Sequence, residues 1–305
     1  MEEDCYRILF FGVKRVGSLC LKTLLNNYAP LVGVVTVVGE ENMAIEELAD
    51  QACIPLFKPD SIKTPSFLET AKDLNPQIGI VCSYPRILPQ KLLNIFSAGC
   101  INLHPAILPD YRGCYPTVWP ILNGDRETGY TIHYMDEGFD TGDIIDVCKV
   151  QVVDDETGYS LYEKLVDLAP QLLKRYLPDL FLQPLARYPQ DKEKGSYYPK
   201  RLPNNGKIDW NWDTERIIRF VRAIYHPVFG SAWTYINGKK LEILEVSSVS
   251  YKSANIVACG TFITNNGSLL VRSPNAYLCV LKIRDFRGKV VQTMLDKHFM
   301  QYYSG

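Results

Sequence analysis

The stretch CINLHPAILPDYRGCYPTVWPILNGDRETGYTIHYMDEGFDTGD, residues 100–143, decides the fold and holds the polar residues of a candidate site. Its apolar start predicts a buried strand that ends at Pro105, because proline removes a hydrogen bond from the ladder. Asn102 and His104 are two residues apart on this strand, so their side chains point to the same face of the sheet. If that face opens on a cleft, an amide and an imidazole lie side by side there.

A second strand is predicted from 130 to 134, and it leads into the loop MDEGFDTGD. Gly138 and Gly142 allow this loop to turn sharply, which presents Asp140 inward. The sequence therefore predicts that an amide, an imidazole and a carboxylate converge from a strand and a loop.

These three groups suit the transfer of an acyl group to an amine. An amide N–H can stabilise a carbonyl oxygen as it becomes an oxyanion, and an imidazole can stabilise that charge or move protons. The carboxylate can orient the imidazole and accept the proton that the attacking amine loses. No Ser or Cys lies in a recognisable nucleophile setting here, so direct attack by the substrate amine is the simpler interpretation.

The same residues also allow a purely structural interpretation. A single histidine is commonly a structural or surface residue, Asn102 could cap a turn, and Asp140 could form an Asx-turn. His133, His226 and His298 have no comparable polar neighbours in the sequence, and we interpret them as structural.

Composition is that of a globular chain with an ample core: of 305 residues, 47% are hydrophobic and 22% are charged. The net charge of −1 hides a mildly basic part, residues 207–305. That part could serve a polyphosphate or a nucleic acid, and scattered surface lysines explain it equally well.

The acidic start, MEEDCYR, predicts no signal peptide, and no apolar run is long enough to span a bilayer, so we expect a cytoplasmic protein without a membrane partner. The nine cysteines form no C-x-x-C pair and lie mostly in apolar runs. They predict neither a disulfide framework nor a metal site.

Apolar runs alternate with helical patterns in the first part of the chain, with predicted strands at 6–11, 31–38 and 79–83. This alternation favours an α/β fold: a Rossmann-like, parallel-rich sheet with helices on both faces. The first βα loop lacks the G-x-G-x-x-G spacing, so a dinucleotide site is not expected.

Three ranges follow from this pattern: a catalytic domain at 1–182, an aperiodic linker at 183–206 and a smaller domain at 207–305. The smaller domain begins with a helix capped by Asp213 or Thr214. Short strands with two Asn-Gly turns follow, which suits a small β-barrel.

N-L-H-P at 102–105, L-P-x-Y-R-G at 108–113 and D-x-G-x-D-T-G-D at 136–143 resemble the signature of formyltransferases that use N10-formyltetrahydrofolate. That family includes glycinamide ribonucleotide, methionyl-tRNA and nucleotide-sugar formyltransferases. The resemblance implies that Asn102, His104 and Asp140 are catalytic. It also implies an OB-like C-terminal barrel and N10-formyltetrahydrofolate as co-substrate, without a metal.

The loop SYPRILPQ, residues 83–90, follows a predicted strand and resembles, together with 136–140, the pterin pocket of that family. Backbone groups and apolar side chains suit a flat pterin with amide-like edges. An ordinary connection punctuated by two prolines is the alternative. The candidate cofactor-binding residues are Tyr84, Arg86, Ile87, Leu88, Asp136 and Gly138.

Several cationic or aromatic side chains are candidates for binding the acceptor substrate. Arg112 suits a phosphate or carboxylate, or it pairs with Asp110 and braces its loop. Lys14 could contact phosphate or be ordinary exposed charge. The full set of candidates is Lys14, Arg112, Tyr115, Lys200 and Arg201, of which the last two are candidates for a pyrophosphate.

A methionyl-tRNA formyltransferase is expected to carry a basic, glycine-rich insertion after the second strand. This chain has VVTVVGEENMAIEEL there, with no Lys or Arg between Gly33 and Phe57, and phosphate neutralisation dominates nucleic-acid affinity. RGCYPTVWP and SYYPKRLPNNGKIDW resemble the nucleotide-sugar enzymes. We therefore expect a nucleotide-linked amino sugar as acceptor and no nucleic acid, with tRNA as the alternative and a homodimer possible.

The sequence fits a transferase better than it fits two other classes of protein. A formyltetrahydrofolate hydrolase normally begins with a ligand-sensing domain, whereas this chain starts at the first strand. A non-catalytic sensor would not need all three polar groups.

Overall fold

The computed structural model describes residues 6–180, 184–191, 193–227, 230–252, 257–285 and 288–292. Contacts divide the chain into two compact units. The first comprises Met1–Pro116, Thr128–Val150 and Glu163–Pro199, and the second comprises Thr117–Glu127, Gln151–Tyr162 and Lys200–Gly305. These units differ from the predicted ranges, because two short segments of the predicted catalytic domain belong to the second unit.

The secondary structure follows the predicted alternation of strands and helices. In chain order the elements are β1 Ile8–Gly12, α1 Lys14–Asn26, β2 Leu31–Val35, α2 Met43–Gln51, β3 Leu56–Phe57, α3 Pro65–Asp73, β4 Ile78–Cys82, α4 Gln90–Leu93, β5 Cys100–His104, β6 Arg112–Gly113, α5 Trp119–Asn123, β7 Glu127–Tyr134, β8 Ile144–Gln151, α6 Gly158–Leu180, β9 Tyr197–Tyr198, α7 Thr214–Ile224, β10 Ala232–Ile236, β11 Lys239–Val249, β12 Phe262–Asn265, β13 Ser268–Arg272, β14 Tyr277–Arg284 and β15 Val290–Gln292.

The first unit contains a seven-stranded sheet of order β3-β2-β1-β4-β5-β7-β8. The pairs from β3 to β5 are all parallel, and β7 is antiparallel to β5. Every residue of β1 and β4 is buried, as expected for central strands whose two faces are both covered. The predicted α/β fold with a parallel-rich sheet is confirmed.

The direction of β7 determines how its loop reaches the candidate site. In the β5–β7 ladder Asn102 lies opposite His133, and Ile101 lies opposite Tyr134. The end of β7 is therefore level with the start of β5. The loop at 135–143 must fold back along β5 to bring Asp140 to the polar side chains of that strand.

The second unit contains a six-stranded antiparallel sheet of order β10-β11-β14-β13-β12, with β15 paired to β14. Asn237 and Asn266 precede glycines in its two tight turns and adopt left-handed φ angles of 48° and 46°. The side chain of Asp213 caps α7 by accepting a hydrogen bond from the Arg216 N–H at 3.0 Å. The predicted C-terminal β domain is confirmed as this antiparallel sheet. Within the described ranges, no helix combines the length and apolar character needed to cross a membrane.

Candidate active site

Asn102, His104 and Asp140 meet at one place in the first unit. Asn102 Nδ2 lies 3.4 Å from Asp140 Oδ1, and His104 Nδ1 lies 3.6 Å from Asp140 Oδ2. His104 is buried, whereas Asn102 and Asp140 are half-buried, so the site retains some access to solvent. The predicted convergence of amide, imidazole and carboxylate is present in the structure.

The loop that carries Asp140 holds a demanding backbone conformation. Asp140 itself adopts a left-handed φ of 54°. Its carboxylate Oδ2 accepts the Gly113 N–H at 2.8 Å. A Cβ on Gly142 would lie 1.9 Å from the Tyr134 carbonyl oxygen, and a Cβ on Gly138 would lie 2.0 Å from Thr141 Oγ1. Gly142 is therefore required for the close approach of two backbone segments, whereas a Cβ on Gly138 would displace the Thr141 side chain, and Asp140 itself makes the inward turn.

His133 belongs to the same cluster, so its interpretation as a structural residue without polar neighbours was wrong. Its Nε2 lies 3.2 Å from Asn102 Nδ2 and 3.6 Å from Asp140 Oδ1. The ring is buried between these groups. The signal in the sequence is positional, because an antiparallel pair places His133 directly beside Asn102.

Hydrogen-bond partners define the tautomers of both histidines. The carbonyl oxygens of Tyr111 and Tyr134 can only accept, so His104 Nε2 and His133 Nδ1 carry the hydrogens that reach them, at 2.9 Å and 2.8 Å. His133 Nε2 is then an acceptor for the Asn102 amide. The Asn102 NH₂ group thus donates to both His133 and Asp140, which fixes the orientation of the amide.

Burial and charge set the protonation states in the site. Burial lowers the pKa of His104 below its ordinary value, and the opposing attraction of Asp140 is weaker. Burial alone would raise the pKa of Asp140. The charge interactions with His104 and His133 and the Gly113 N–H outweigh burial, and the pKa of Asp140 is lowered. Around neutral pH the site therefore holds a carboxylate next to a neutral imidazole that can take up a proton.

Arg112 is buried against another side chain and does not pair with Asp110, so that interpretation was wrong, while its contact with an anionic substrate stays a prediction. Its Nε and Nη2 donate to Gln190 Oε1 at 3.2 Å and 2.8 Å. The Gln190 Nε2 in turn donates to the carbonyl oxygens of Asp140 and Gly142, at 2.9 Å and 2.7 Å. Arg112 thus acts on the loop of Asp140 through Gln190. No signal in the sequence pointed to Gln190, because this residue lies in a stretch without periodicity.

The candidate pterin loop, residues 83–90, presents only part of its predicted surface. Leu88 and Tyr84 are buried in the hydrophobic core, where the Tyr84 ring meets Phe11 edge-on at 5.6 Å. Arg86 donates to the Pro59 carbonyl oxygen and so braces the loop. Ile87 is half exposed and is the apolar side chain that this loop offers to a ligand.

The other two candidate cofactor-binding residues lie in the loop of Asp140. The carboxylate of Asp136 accepts from the Gly138 N–H at 3.0 Å and from Thr141 Oγ1 at 2.6 Å. Its oxygen Oδ1 is therefore engaged in forming the loop. Asp136 and Gly138 shape the loop, and their contact with a cofactor stays a prediction.

The remaining candidate substrate-binding residues lie in both units. Lys14 is exposed at the start of α1, and its backbone N–H donates to Asn42 Oδ1 at 2.7 Å. Tyr115 is exposed in the first unit. Lys200 and Arg201 are exposed in the second unit, where Arg201 Nε donates to Asn205 Oδ1 at 2.9 Å. Their contact with a substrate stays a prediction.

Two residues of the site other than glycine adopt left-handed φ angles. They are Asp140 at 54° and Tyr111 at 61°, whose carbonyl oxygen is the partner of His104 Nε2. Such conformations persist only where surrounding contacts enforce them, and they occur preferentially at functional sites. Among the described residues no group of three or more His, Cys, Asp or Glu side chains could hold a metal ion.

Two family models match the chain. The model for formyl transferase matches residues 8–177, and the model for the formyl transferase C-terminal domain matches residues 202–295. The methionyl-tRNA formyltransferase of Caldanaerobacter subterraneus subsp. tengcongensis is 31% identical over 287 residues, which cover 91% of this chain and 92% of the relative. These matches extend over both units.

Solved structures with the same fold include WlaRD, a sugar 3N-formyl transferase studied in the presence of dTDP and 5-N-formyl-THF. It has a TM-score of 0.68 at 18% identity and covers 90% of this chain and 97% of its own. An N-formyltransferase from Helicobacter canadensis, in complex with folinic acid and dTDP-3-aminofucose, has a TM-score of 0.67 at 19% identity and covers 90% and 98%. Since the first family model alone covers more than half of the sequence, the chain belongs to the formyl transferase family, and the predicted folate-dependent formyltransferase is confirmed.

Proposed function

We propose that the protein transfers the formyl group of N10-formyltetrahydrofolate directly to a primary amine, with Asn102, His104 and Asp140 as the catalytic groups. The observation that carries this proposal is the Asp140 carboxyl group, held within 3.6 Å of His104 Nδ1 and 3.4 Å of Asn102 Nδ2 in a partly buried site. A neutral imidazole beside a carboxylate can accept a proton and is stabilised as an imidazolium when it does so.

Each group has a distinct role in this scheme. The neutral amine attacks the formyl carbon and forms a tetrahedral intermediate with a developing oxyanion. The Asn102 N–H that makes the long bond to Asp140 turns to this oxygen, because it is the weaker of the two bonds that the amide donates. The amine proton passes to the His104–Asp140 pair, directly or through water. The C–N bond to the folate then breaks, and a proton from this pair completes the leaving nitrogen.

The donor occupies the pocket predicted at 83–90 and 136–140, where Ile87 covers the pterin face and backbone groups read its edge. Arg86 keeps this loop in place through the Pro59 carbonyl oxygen. The eight described cysteines are free thiols, which agrees with a reducing compartment, and we place the enzyme in the cytoplasm.

For the acceptor we propose a nucleotide-linked amino sugar. The connection between β2 and α2 is short, and it exposes Glu40 and Glu41 rather than cationic side chains. A polyanionic nucleic acid would gain no counterion release from this segment. Lys200 and Arg201, both exposed, are the candidates for the pyrophosphate of the acceptor.

A second acceptor, methionyl-tRNA, is favoured by the sequence relatives. Eight curated relatives, between 30% and 34% identical, are all methionyl-tRNA formyltransferases. The mildly basic range 207–305 agrees with this alternative.

One assay separates the two acceptors. The full chain is incubated with N10-formyltetrahydrofolate and either a panel of nucleotide-linked amino sugars or methionyl-tRNA, and the product is examined by mass spectrometry for the gain of one formyl group. Formylation of tRNA alone would replace the sugar proposal. The variants His104→Ala and Asp140→Asn should still bind donor but lose turnover by roughly a hundredfold or more; undiminished turnover would exclude the catalytic scheme.

A further inference from the structure

Two large aromatic side chains are exposed beside the catalytic aspartate. Phe139 precedes Asp140 in the chain, and Phe139 and Tyr197 are each 50% exposed. Their ring centroids are 5.4 Å apart, and the ring planes are inclined at 47°. At this angle the rings do not stack on each other, so each keeps a face available to a flat partner.

The position of Tyr197 is tied to the position of Asp140. In the two-stranded β6–β9 ladder, Arg112 pairs with Tyr197 and Gly113 pairs with Tyr198. The Tyr197 ring packs so tightly against Gly113 that a Cβ there would lie 2.9 Å from Tyr197 Cε2. Gly113 contacts the Tyr197 ring and also donates its N–H to the Asp140 carboxylate, so it links the two.

Packing within the protein covers only half of each side chain. Exposed large apolar side chains grouped beside a polar site indicate an interaction surface. A second contact holds the strand that carries Tyr197. The Tyr198 ring stacks on the Tyr111 ring, with centroids 5.7 Å apart and ring planes at 15°. The pair Phe139–Tyr197 is therefore presented on a fixed support.

We propose that the Phe139–Tyr197 pair binds the nucleobase of the acceptor by stacking. This inference rests on the proposed function and deepens it, since both candidate acceptors carry a nucleobase. Stacking on aromatic side chains is available to every base because each has a π-face. The pair would hold the nucleotide part of the acceptor while its amine reaches the formyl carbon beside His104.

The topology separates this pair from the main donor loop. The loop 83–90 follows β4 on one side of β5, whereas Phe139 lies in the connection of β7 and β8 on the other side. The Asp136 carboxylate is engaged within that connection, which leaves Phe139 as its exposed apolar side chain. Phe139 also lies within 136–140, the second part of the predicted donor pocket, so the pterin is the competing occupant of this pair and the affinity for the donor decides between the two.

The test uses the full chain with Phe139→Leu and Tyr197→Leu, which keep apolar volume but remove the π-face. Tyr188→Leu is the matched control, because Tyr188 is also an exposed tyrosine of the first unit, at 67% exposure. We measure KM for the acceptor at saturating donor, the dissociation constant of the donor, and binding of AMP, UMP and dTMP.

Each of the two leucine variants should raise the acceptor KM roughly tenfold and weaken binding of the nucleoside monophosphates, while the donor dissociation constant and the Tyr188→Leu control stay at wild-type values. An unchanged acceptor KM, or a parallel loss of donor affinity, would overturn the stacking proposal. Preference among AMP, UMP and dTMP identifies the nucleobase that the two rings accept.

Failure of the acceptor proposal gives a different pattern. If the wild-type chain formylates none of the acceptors but still binds nucleoside monophosphates through both rings, the stacking proposal stands and the proposed acceptors are wrong. If transfer occurs and both leucine variants match the control, the acceptor proposal stands and the stacking proposal is wrong.

Discussion

The guanidinium of Arg112 donates two hydrogen bonds to one oxygen, Oε1 of Gln190, at 3.2 Å from Nε and 2.8 Å from Nη2. Both side chains are buried. Through the amide nitrogen of Gln190 this contact reaches the backbone of Asp140 and Gly142. A buried cation thus stabilises the loop that carries the Asp140 carboxylate without a direct contact to that carboxylate.

Replacing Gln190 by Leu should destabilise the fold by about 3 kcal/mol, because it leaves a buried guanidinium and two carbonyl oxygens without their partner. Denaturant unfolding measures this loss, and kcat should fall with it as Asp140 loses its position. Asp110→Ala is the control, since Asp110 is exposed and does not pair with Arg112. Equal stability of the Gln190 and Asp110 variants would contradict the role of Gln190.

His133→Leu should lower kcat by about tenfold while the donor KM changes little, because His133 orients the Asn102 amide but makes no contact with the donor in the proposed scheme. His226→Gln is the control, since this histidine packs against Tyr159 in the second unit. Steady-state kinetics with both variants measures kcat and the donor KM separately. A donor KM that rises as much as kcat falls would show that His133 contacts the folate.

Gly113→Ala tests steric contact separately from backbone strain. A Cβ at this position would lie 2.3 Å from the Tyr198 carbonyl oxygen, and the φ angle is +91°. Gly267 has a φ of +76° with nothing within 4 Å, so Gly267→Ala should cost only the left-handed strain of about 1 kcal/mol. The Gly113 variant should lose clearly more stability, and much of its activity, because its N–H holds Asp140. Indistinguishable melting curves for the two variants would count against this contact.

Stability should decrease as the solution is acidified. The folded-state pKa values of His104 and Asp140 are both lowered, so the unfolded chain binds more protons than the folded one in acid. The contribution of His104 to the free energy of unfolding is complete above the ordinary histidine pKa of 6.5, and it is lost as the pH falls below that value. The contribution of Asp140 is also lost on acidification, as the pH falls below the ordinary aspartate pKa of 3.8. Urea unfolding from neutral to acidic pH should show a flatter profile below 6.5 for His104→Gln, and an unaltered slope would contradict the burial effect.

Local patterns predicted much of the first unit. The continuous apolar runs of β1 and β4 indicated strands covered on both faces, and the i, i+2 spacing placed Asn102 and His104 on one face. The direction of β7 was not encoded in its own residues, because antiparallel pairing depends on a partner strand far along the chain. The proximity of His133 to Asn102 follows from that pairing, so it could not be inferred from the neighbours of His133 in sequence.

Side-chain partners were harder to predict than strands. Arg112 was expected to face an anionic substrate or to pair with Asp110, and the structure buries it against Gln190, which is far along the chain and lies in a segment without periodicity. Tyr84 and Leu88 were expected to line a pocket, but their apolar surface is used by the core. In each case the loop sequence allows both environments, and tertiary packing selects one of them.

The Tyr134 N–H donates to the Asp143 carbonyl oxygen at 2.9 Å and closes the base of the loop that carries Asp140. This hydrogen bond fixes where the loop starts and ends, so the number of residues between Tyr134 and Asp143 decides how far Asp140 reaches along β5. An insertion or a deletion in this loop would therefore move the carboxylate away from His104 even where both strands keep their register.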